Sequence, residues 1–254
     1  TDDTKRTALV TSRFLLILLS SPKLYSGESQ YTKGRLEIME KIRKKMFFMG
    51  AGFLGAFVLW TVLVSYVDVR AIGQNASSVG FATLNGYVHN LTGVNMFLYT
   101  ITDWLGLVPI GVAFGFAVLG LVQWVGRKSL FKVDRSILAL GGFYIIVLAM
   151  YVFFEIVVIN YRPVLIDGYL EASYPSSTTM LVMCVMPTAM MQLHARIKSD
   201  VFRRCVLISS AAFTAFMVIG RLASGVHWLT DIIGGALVSA GLVITYASVS
   251  DIHK

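Results

Sequence analysis

The chain has 254 residues, 56% of them apolar and 14% charged, with a net charge of +8 and a mean hydropathy of +0.71. Soluble domains carry about 25% charged residues, so this composition excludes an ordinary soluble globular domain. Six strongly apolar runs carry no Asp, Glu, Lys or Arg: 46–67, 104–126, 136–154, 172–195, 205–220 and 232–250.

Residues 1–45 precede the first of these runs and differ from them. They end in a basic cluster, Lys41, Arg43, Lys44 and Lys45. Their apolar stretch 14–19, "FLLILL", is too short to span a bilayer and is predicted to lie along its inner surface as an interfacial segment. Pro22 and Lys23 follow with no small-residue cleavage site, which argues against a cleaved leader. The predicted organisation is therefore a basic cytoplasmic or interfacial segment, 1–45, and a transmembrane domain, 46–254.

A helix needs roughly 20 apolar residues to cross the hydrocarbon core. Backbone groups in lipid must bond within their own segment. The six runs therefore predict an all-α membrane protein, a six-transmembrane-helix bundle. The 205–220 run reaches spanning length if Arg203 and Arg204 extend their charged ends to the interface. Pro109 and Pro187 are read as kinks in the second and fourth helices. Between the first two runs, 68–103 mixes small polar residues with aromatics and predicts a surface helix or lid.

Loop charge orients this bundle. The second-to-third connection carries Arg127, Lys128, Lys132 and Arg135, and the fourth-to-fifth carries Arg196, Lys198, Arg203 and Arg204. The other connections hold single arginines: Arg70, Arg162 and Arg221. Lys- and Arg-rich loops stay cytoplasmic, which places both termini inside and Arg162 and Arg221 at the outer side. The net positive charge then reflects topology and attraction to anionic headgroups; it requires no nucleic-acid partner. Cys184 and Cys205 fall at different depths, which argues against a bridge. His89, His194 and His253 are isolated, and no clustered Cys/His pattern calls for a metal.

Three short stretches approach the outer side: 155–163 "EIVVINYRP", 174–178 "YPSST" and 220–231 "GRLASGVHWLTD". Arg162 and Arg221 supply guanidiniums, which fit phosphate oxygens through paired hydrogen bonds. Ser176, Ser177 and Thr178 follow Pro175 and open a helix, where free N–H groups and the helix dipole favour an anion. His227 and Asp231, four residues apart at the start of the last helix, share a face, and an Asp so placed can fix an imidazole tautomer. Arg162 and Arg221 are expected to converge on one anion, within about 12 Å of each other. Glu155 precedes Arg162 by about two helical turns and is expected to face the site with Arg162 or Arg221 as its partner.

These stretches resemble the type 2 phosphatidic acid phosphatase family, whose pattern is K-x6-R-P, then P-S-G-H, then S-R-x5-H-x3-D. The resemblance covers about 100 to 250. It implies a six-helix membrane lipid phosphatase that uses no metal or other cofactor and acts on a phosphorylated lipid; the loop charges put its site at the outer face, expected to be that of the plasma membrane. It also implies His227 as the nucleophile forming a phospho-histidine and Asp231 orienting it. Arg162, Ser176 and Arg221 would bind phosphate with the Ser177 backbone. Four positions depart from the pattern. Glu155 stands at the Lys position, Ser177 at the Gly, Thr178 at the His that serves as general acid, and Gly220 at the Ser before Arg221. Glu155, Asp167 and Glu171 are the carboxyls that could supply the missing proton. Three readings stay open: a phosphatase whose leaving group, as from a diphosphate, needs little protonation; a phosphatase in which one of these carboxyls supplies the proton; and a degenerate family member that binds or transports a phosphorylated lipid. Neither the lipid nor the oligomeric state is legible in the residues.

Overall fold

The computed structural model describes residues 22–250. Among them the regular structure is helical, with only isolated β-bridges in the connections. The helices are α1 (Pro22–Tyr66), α2 (Ala82–Thr92), α3 (Met96–Leu105), α4 (Leu107–Arg127), α5 (Arg135–Ile156), α6 (Ser177–Arg196), α7 (Asp200–Ala223) and α8 (Leu229–Val249). The chain divides into two units at Lys45 and Met46. The described part of the first is helical and carries an exposed Glu40–Lys44 pair at 2.7 Å, one helical turn apart. The second holds all that follows. The expected interfacial run 14–19 lies outside the described residues.

Five helical segments are long and apolar enough to cross a membrane: Gly34–Tyr66, Met96–Arg127, Arg135–Ile156, Asp200–Ala223 and Leu229–Val249. The expected fourth span, α6, is not among them, so composition along the observed helices gives five spans where the charge-free runs gave six. The reason is its place in the bundle. Helix α6 packs against α4, α5, α7 and α8. It therefore meets protein on most sides and carries polar residues inward. Gln192 Nε2 donates to Tyr246 Oη at 2.7 Å and to the Ser136 carbonyl at 3.1 Å, and Thr188 Oγ1 donates to the Cys184 carbonyl at 2.7 Å. Helices in lipid associate through such hydrogen bonds and through close packing. Pro187 does lie inside α6. Pro109 is the third residue of α4, beside the Gly106 break between α3 and α4 within the apolar segment Met96–Arg127.

Tyr174 ties the bundle to the segment entering α6. Its ring stacks on Phe57 at 6.3 Å and meets Phe154 edge-on at 5.9 Å, while its hydroxyl lies 2.7 Å from Thr61 Oγ1. Helix α8 comes close on the other side: a Cβ at Gly234 would fall 2.6 Å from the Tyr174 ring. Small residues permit this approach.

The 68–103 segment forms a 3-10 turn, Gln74–Ala76, then α2 and most of α3. Helix α2 packs on α8 and α3 on α7. Asn85 clasps Thr230 twice, Nδ2 donating to Oγ1 at 3.0 Å and Oδ1 accepting from the backbone N–H at 3.2 Å. The turn between α2 and α3 rests on the loop after α7, where Asn95 N–H donates to the Ser224 carbonyl at 3.0 Å. Gly225 makes that approach possible. Its φ is +67°, and a Cβ there would lie 1.8 Å from the Gly93 carbonyl oxygen. Gly225→Ala is expected to destabilise the protein by at least about 2 kcal/mol, from left-handed backbone strain plus overpacking against backbone. Gly52→Ala, where nothing lies within 4 Å, should be neutral or slightly stabilising. Parallel denaturation of both variants in detergent measures the difference.

Candidate active site

Four chain ends meet where the three sequence stretches predicted: the end of α5, the start of α6, the end of α7 and the start of α8. Helix α5 stops at Ile156, and 157–176 folds back on itself. Tyr161 bridges Ala172, Arg162 N–H donates to the Glu171 carbonyl at 3.0 Å, and Ser173 N–H donates to the Asn160 carbonyl at 2.9 Å. Ser176 caps α6, its hydroxyl accepting from Thr179 N–H at 3.4 Å. The Ser176 N–H donates to the Asp231 carbonyl at 3.0 Å, which joins the start of α6 to the start of α8.

Arg162, Arg221, His227 and Asp231 are all buried, Arg221 at 1% exposure and Asp231 at 0%. The two guanidinium carbons lie over one ring, that of Tyr99, at 5.9 Å for Arg162 and 4.9 Å for Arg221. Their mutual distance cannot exceed the sum of those two lengths, so they fall within the span expected for one shared anion. Each is also held by an acid on the rim. Arg162 Nη2 meets Glu171 Oε2 at 3.2 Å, and Arg221 Nη1 meets Asp103 Oδ1 at 3.5 Å and Thr102 Oγ1 at 3.4 Å.

His227 lies ahead of α8 and not within its first turn, because Trp228 is the N-cap. Asp231 Oδ2 accepts from the Trp228 N–H at 2.9 Å, which fixes the carboxylate at the helix start. The expected direct His–Asp contact is long, 3.8 Å from Nδ1 to Oδ2. Ser173 stands between them. Its hydroxyl donates to Asp231 Oδ2 at 2.5 Å and lies 3.0 Å from His227 Nδ1. Asn160 Nδ2 donates to the other carboxylate oxygen at 3.3 Å. A hydroxyl has one proton. With that proton on Asp231, the Ser173 oxygen accepts from Nδ1–H, and Nε2 carries the lone pair. Burial, and after it the positive charges of Arg162 and Arg221, holds the imidazole well below its usual pKa. It is neutral near pH 7.

Several buried polar atoms have no partner: His227 Nε2, Arg162 Nε and Nη1, and Arg221 Nε. Buried polar groups are nearly always satisfied. A cluster of three unpaired guanidinium nitrogens beside an unpaired imidazole nitrogen suits a ligand with several acceptor oxygens and an electrophilic centre. Among the described residues, no group of three or more His, Cys, Asp or Glu is placed to hold a metal ion.

Glu155 corrects the expectation drawn from helical spacing. It is exposed, and the partner of Arg162 is Glu171. Because α5 ends one residue after Glu155, the face that it shares with Arg162 on an extended helix does not exist. Glu155 instead lines a cleft with Phe154, Ser173 and Ser177. Thr178 is half-buried at the second position of α6. Ser173, Asn160, Tyr99, Asp103 and Glu171 join the site without a signal from the three motifs. Of these, only Glu171 was singled out in the sequence, as one of the carboxyls that could supply a proton.

Residues 140–253 match the family model described as the PAP2 superfamily. A crystal structure described as the first transmembrane PAP2 type phosphatidylglycerolphosphate phosphatase, from Bacillus subtilis, aligns with a TM-score of 0.45 at 18% identity, over 78% of this chain and 93% of that one. No curated protein sequence matches this chain.

Proposed function

We propose that this protein, whose residues 140–253 match the PAP2 superfamily model, is a membrane phosphatase that removes phosphate from a lipid phosphate or diphosphate through a phospho-histidine. The carrying observation is the set of unpaired buried atoms, His227 Nε2 with Arg162 Nε and Nη1 and Arg221 Nε. Arg162 and Arg221 hold the phosphate oxygens, with Ser176 and the Ser177 backbone at the helix start. His227 Nε2 attacks phosphorus, and the bond from phosphorus to the bridging oxygen breaks, its electron pair leaving with that oxygen. Water then attacks the phosphorus of the phospho-histidine, releases inorganic phosphate and returns Nε2 to its starting state. Asp231 stabilises the imidazolium that forms on attack. Thr178 stands where the resemblance places a general acid. That substitution also supports a second reading, a site that binds a phosphorylated lipid without cleaving it.

The same proposal gives the site an outward face on the plasma membrane and counts α6 as a sixth span. Arg127, Lys128, Lys132 and Arg135 lie at the α4–α5 turn, and Arg196 and Lys198 at the α6–α7 turn. These turns are at the ends of α5, α6 and α7 opposite the site, and Lys- and Arg-rich turns remain cytoplasmic. In a chain freed of Cys184 and Cys205, cysteines at 128 and 198 should react with a membrane-impermeant maleimide only after lysis. A cysteine at 167 should react in intact cells. Labelling at 128 from outside intact cells would overturn this orientation.

Phosphate release from a panel of lipid monophosphates and diphosphates tests the activity. Release that is lost with Arg162→Ala and with Arg221→Ala supports the phosphatase. Binding of a lipid phosphate that needs both arginines, with no release from any member of the panel, would select the binding protein.

A further inference from the structure

We propose that Ser173 is a positioning residue of the reaction, the hydroxyl through which Asp231 acts on His227. The proposal rests on the reading of His227 as nucleophile and extends it to a residue outside the three motifs.

At 3.8 Å the His227 Nδ1 and Asp231 Oδ2 atoms are too far apart for a strong hydrogen bond. The Ser173 hydroxyl completes the path with two short contacts, 3.0 Å to Nδ1 and 2.5 Å to Oδ2. Its position is built and not incidental. The backbone N–H of Ser173 is held by the Asn160 carbonyl at 2.9 Å, and the next residue, Tyr174, is packed between Phe57 and Phe154. Asp231 is held at the far end by the Trp228 N–H and by Asn160 Nδ2. Asn160 thus fixes both ends of the relay, through its carbonyl and through its side chain. The opposite strand of the same fold-back carries Arg162, so the segment that grips the phosphate also orients the attacking ring.

The chemistry follows from the proton positions. Before attack, Nδ1–H donates to Ser173 Oγ, and Ser173 O–H donates to the carboxylate. When Nε2 bonds to phosphorus the ring becomes cationic with Nδ1–H still in place, and the positive charge is answered by the hydroxyl oxygen polarised by Asp231. No proton leaves the chain during attack. Ser173→Ala keeps the backbone bond from residue 173 to the Asn160 carbonyl, so the variant isolates the hydroxyl.

The test compares Ser173→Ala, Ser173→Thr, Asp231→Asn and the Ser173→Ala/Asp231→Asn double variant in the full chain, with a polyprenyl diphosphate as substrate. Ser173→Ala should lower kcat about 100-fold and leave KM within about twofold, because the arginines that bind phosphate are untouched. Ser173→Thr, which keeps a hydroxyl, should recover activity to within about tenfold of wild type. Asp231→Asn should cost less than about threefold more when added to Ser173→Ala, since groups acting through one chain are not additive. A kcat near wild type in Ser173→Ala overturns the proposal. So does a double variant whose loss equals the product of the two single losses. Thermal shift with inorganic phosphate reports whether each variant is folded and binds anion. If Ser173→Ala fails that check, Ser173→Thr carries the decision, and a Thr variant that binds phosphate but has lost kcat as fully as His227→Ala overturns the relay. If His227→Ala itself retains turnover, the nucleophile reading has failed. If His227→Ala is inactive and Ser173→Ala is not, the relay alone has failed.

Discussion

His227→Ala is expected to abolish phosphate release from every lipid phosphate tested, by about 10⁶-fold where the assay reaches that far, since removing a covalent nucleophile costs losses of that order. The ring is poised for attack in three ways. Nδ1 is engaged by Ser173, which leaves the lone pair on Nε2. Nε2 is buried and without a partner. The imidazole is kept neutral by burial and by two arginines. The pH dependence follows from the sign of that last effect. A ring whose pKa is lowered gains its proton only below its usual range near 6.5. The limb of kcat/KM that reports protonation of His227 should therefore lie well below pH 6.5, with no loss from this group between pH 7 and 6.5. Loss of activity from this group centred at or above pH 6.5 would show that burial and the two arginines do not hold the ring neutral. Rapid quench with a substrate labelled at phosphorus should trap a phosphoenzyme that is labile to acid and stable to alkali, and none in His227→Ala. Turnover that survives His227→Ala removes this mechanism.

The bundle was legible because its signal is physical and local. A charge inside hydrocarbon is costly, so 46–67, 136–154 and 232–250 announce themselves as α1, α5 and α8. Helix α6 shows the limit of that signal, since enclosure by other helices lets it carry Thr179, Thr188 and Gln192 inward. The motifs were legible by residue type. Arg162, Ser176, Arg221, His227 and Asp231 come together at four chain ends, as their chemistry suggested. Contacts made by the fold-back were not legible. Arg162 meets Glu171, nine residues on, because the chain reverses between them, and a helical-spacing argument then points to Glu155 instead. Ser173 and Asn160 are common polar residues in an irregular segment, and only the packing of Tyr174 and the bond from Ser173 to Asn160 give them a role. Tyr99 and Asp103 arrive from α3, more than 100 residues before His227, and no spacing connects them.

Thr178→His is expected to raise turnover of lipid monophosphates by about 100- to 10,000-fold and to change diphosphate turnover far less. The wild-type protein should accordingly prefer diphosphates. The argument begins with the leaving group. Cleaving a monophosphate expels an alkoxide, which needs a proton as it departs. Cleaving a diphosphate expels a phosphate monoester, which is stable as an anion and needs little help. A positioned acid contributes about 100- to 10,000-fold, roughly 3–5 kcal/mol at the transition state, and Thr178 has no proton to give at neutral pH. Its place suits the test. It is the second residue of α6, beside Ser177, and it is half-buried. The competing donor is Glu155, which lines a cleft with Ser173 and Ser177. The two donors separate cleanly. If Glu155 supplies the proton, wild type cleaves both substrate classes at similar rates, Glu155→Gln loses monophosphate turnover selectively, and Thr178→His adds little. If no group supplies it, Glu155→Gln leaves the monophosphate rate unchanged and Thr178→His raises it. Equal gains on both classes would mean that the added ring binds substrate and does not protonate the leaving oxygen, because only a proton donor discriminates between the two leaving groups.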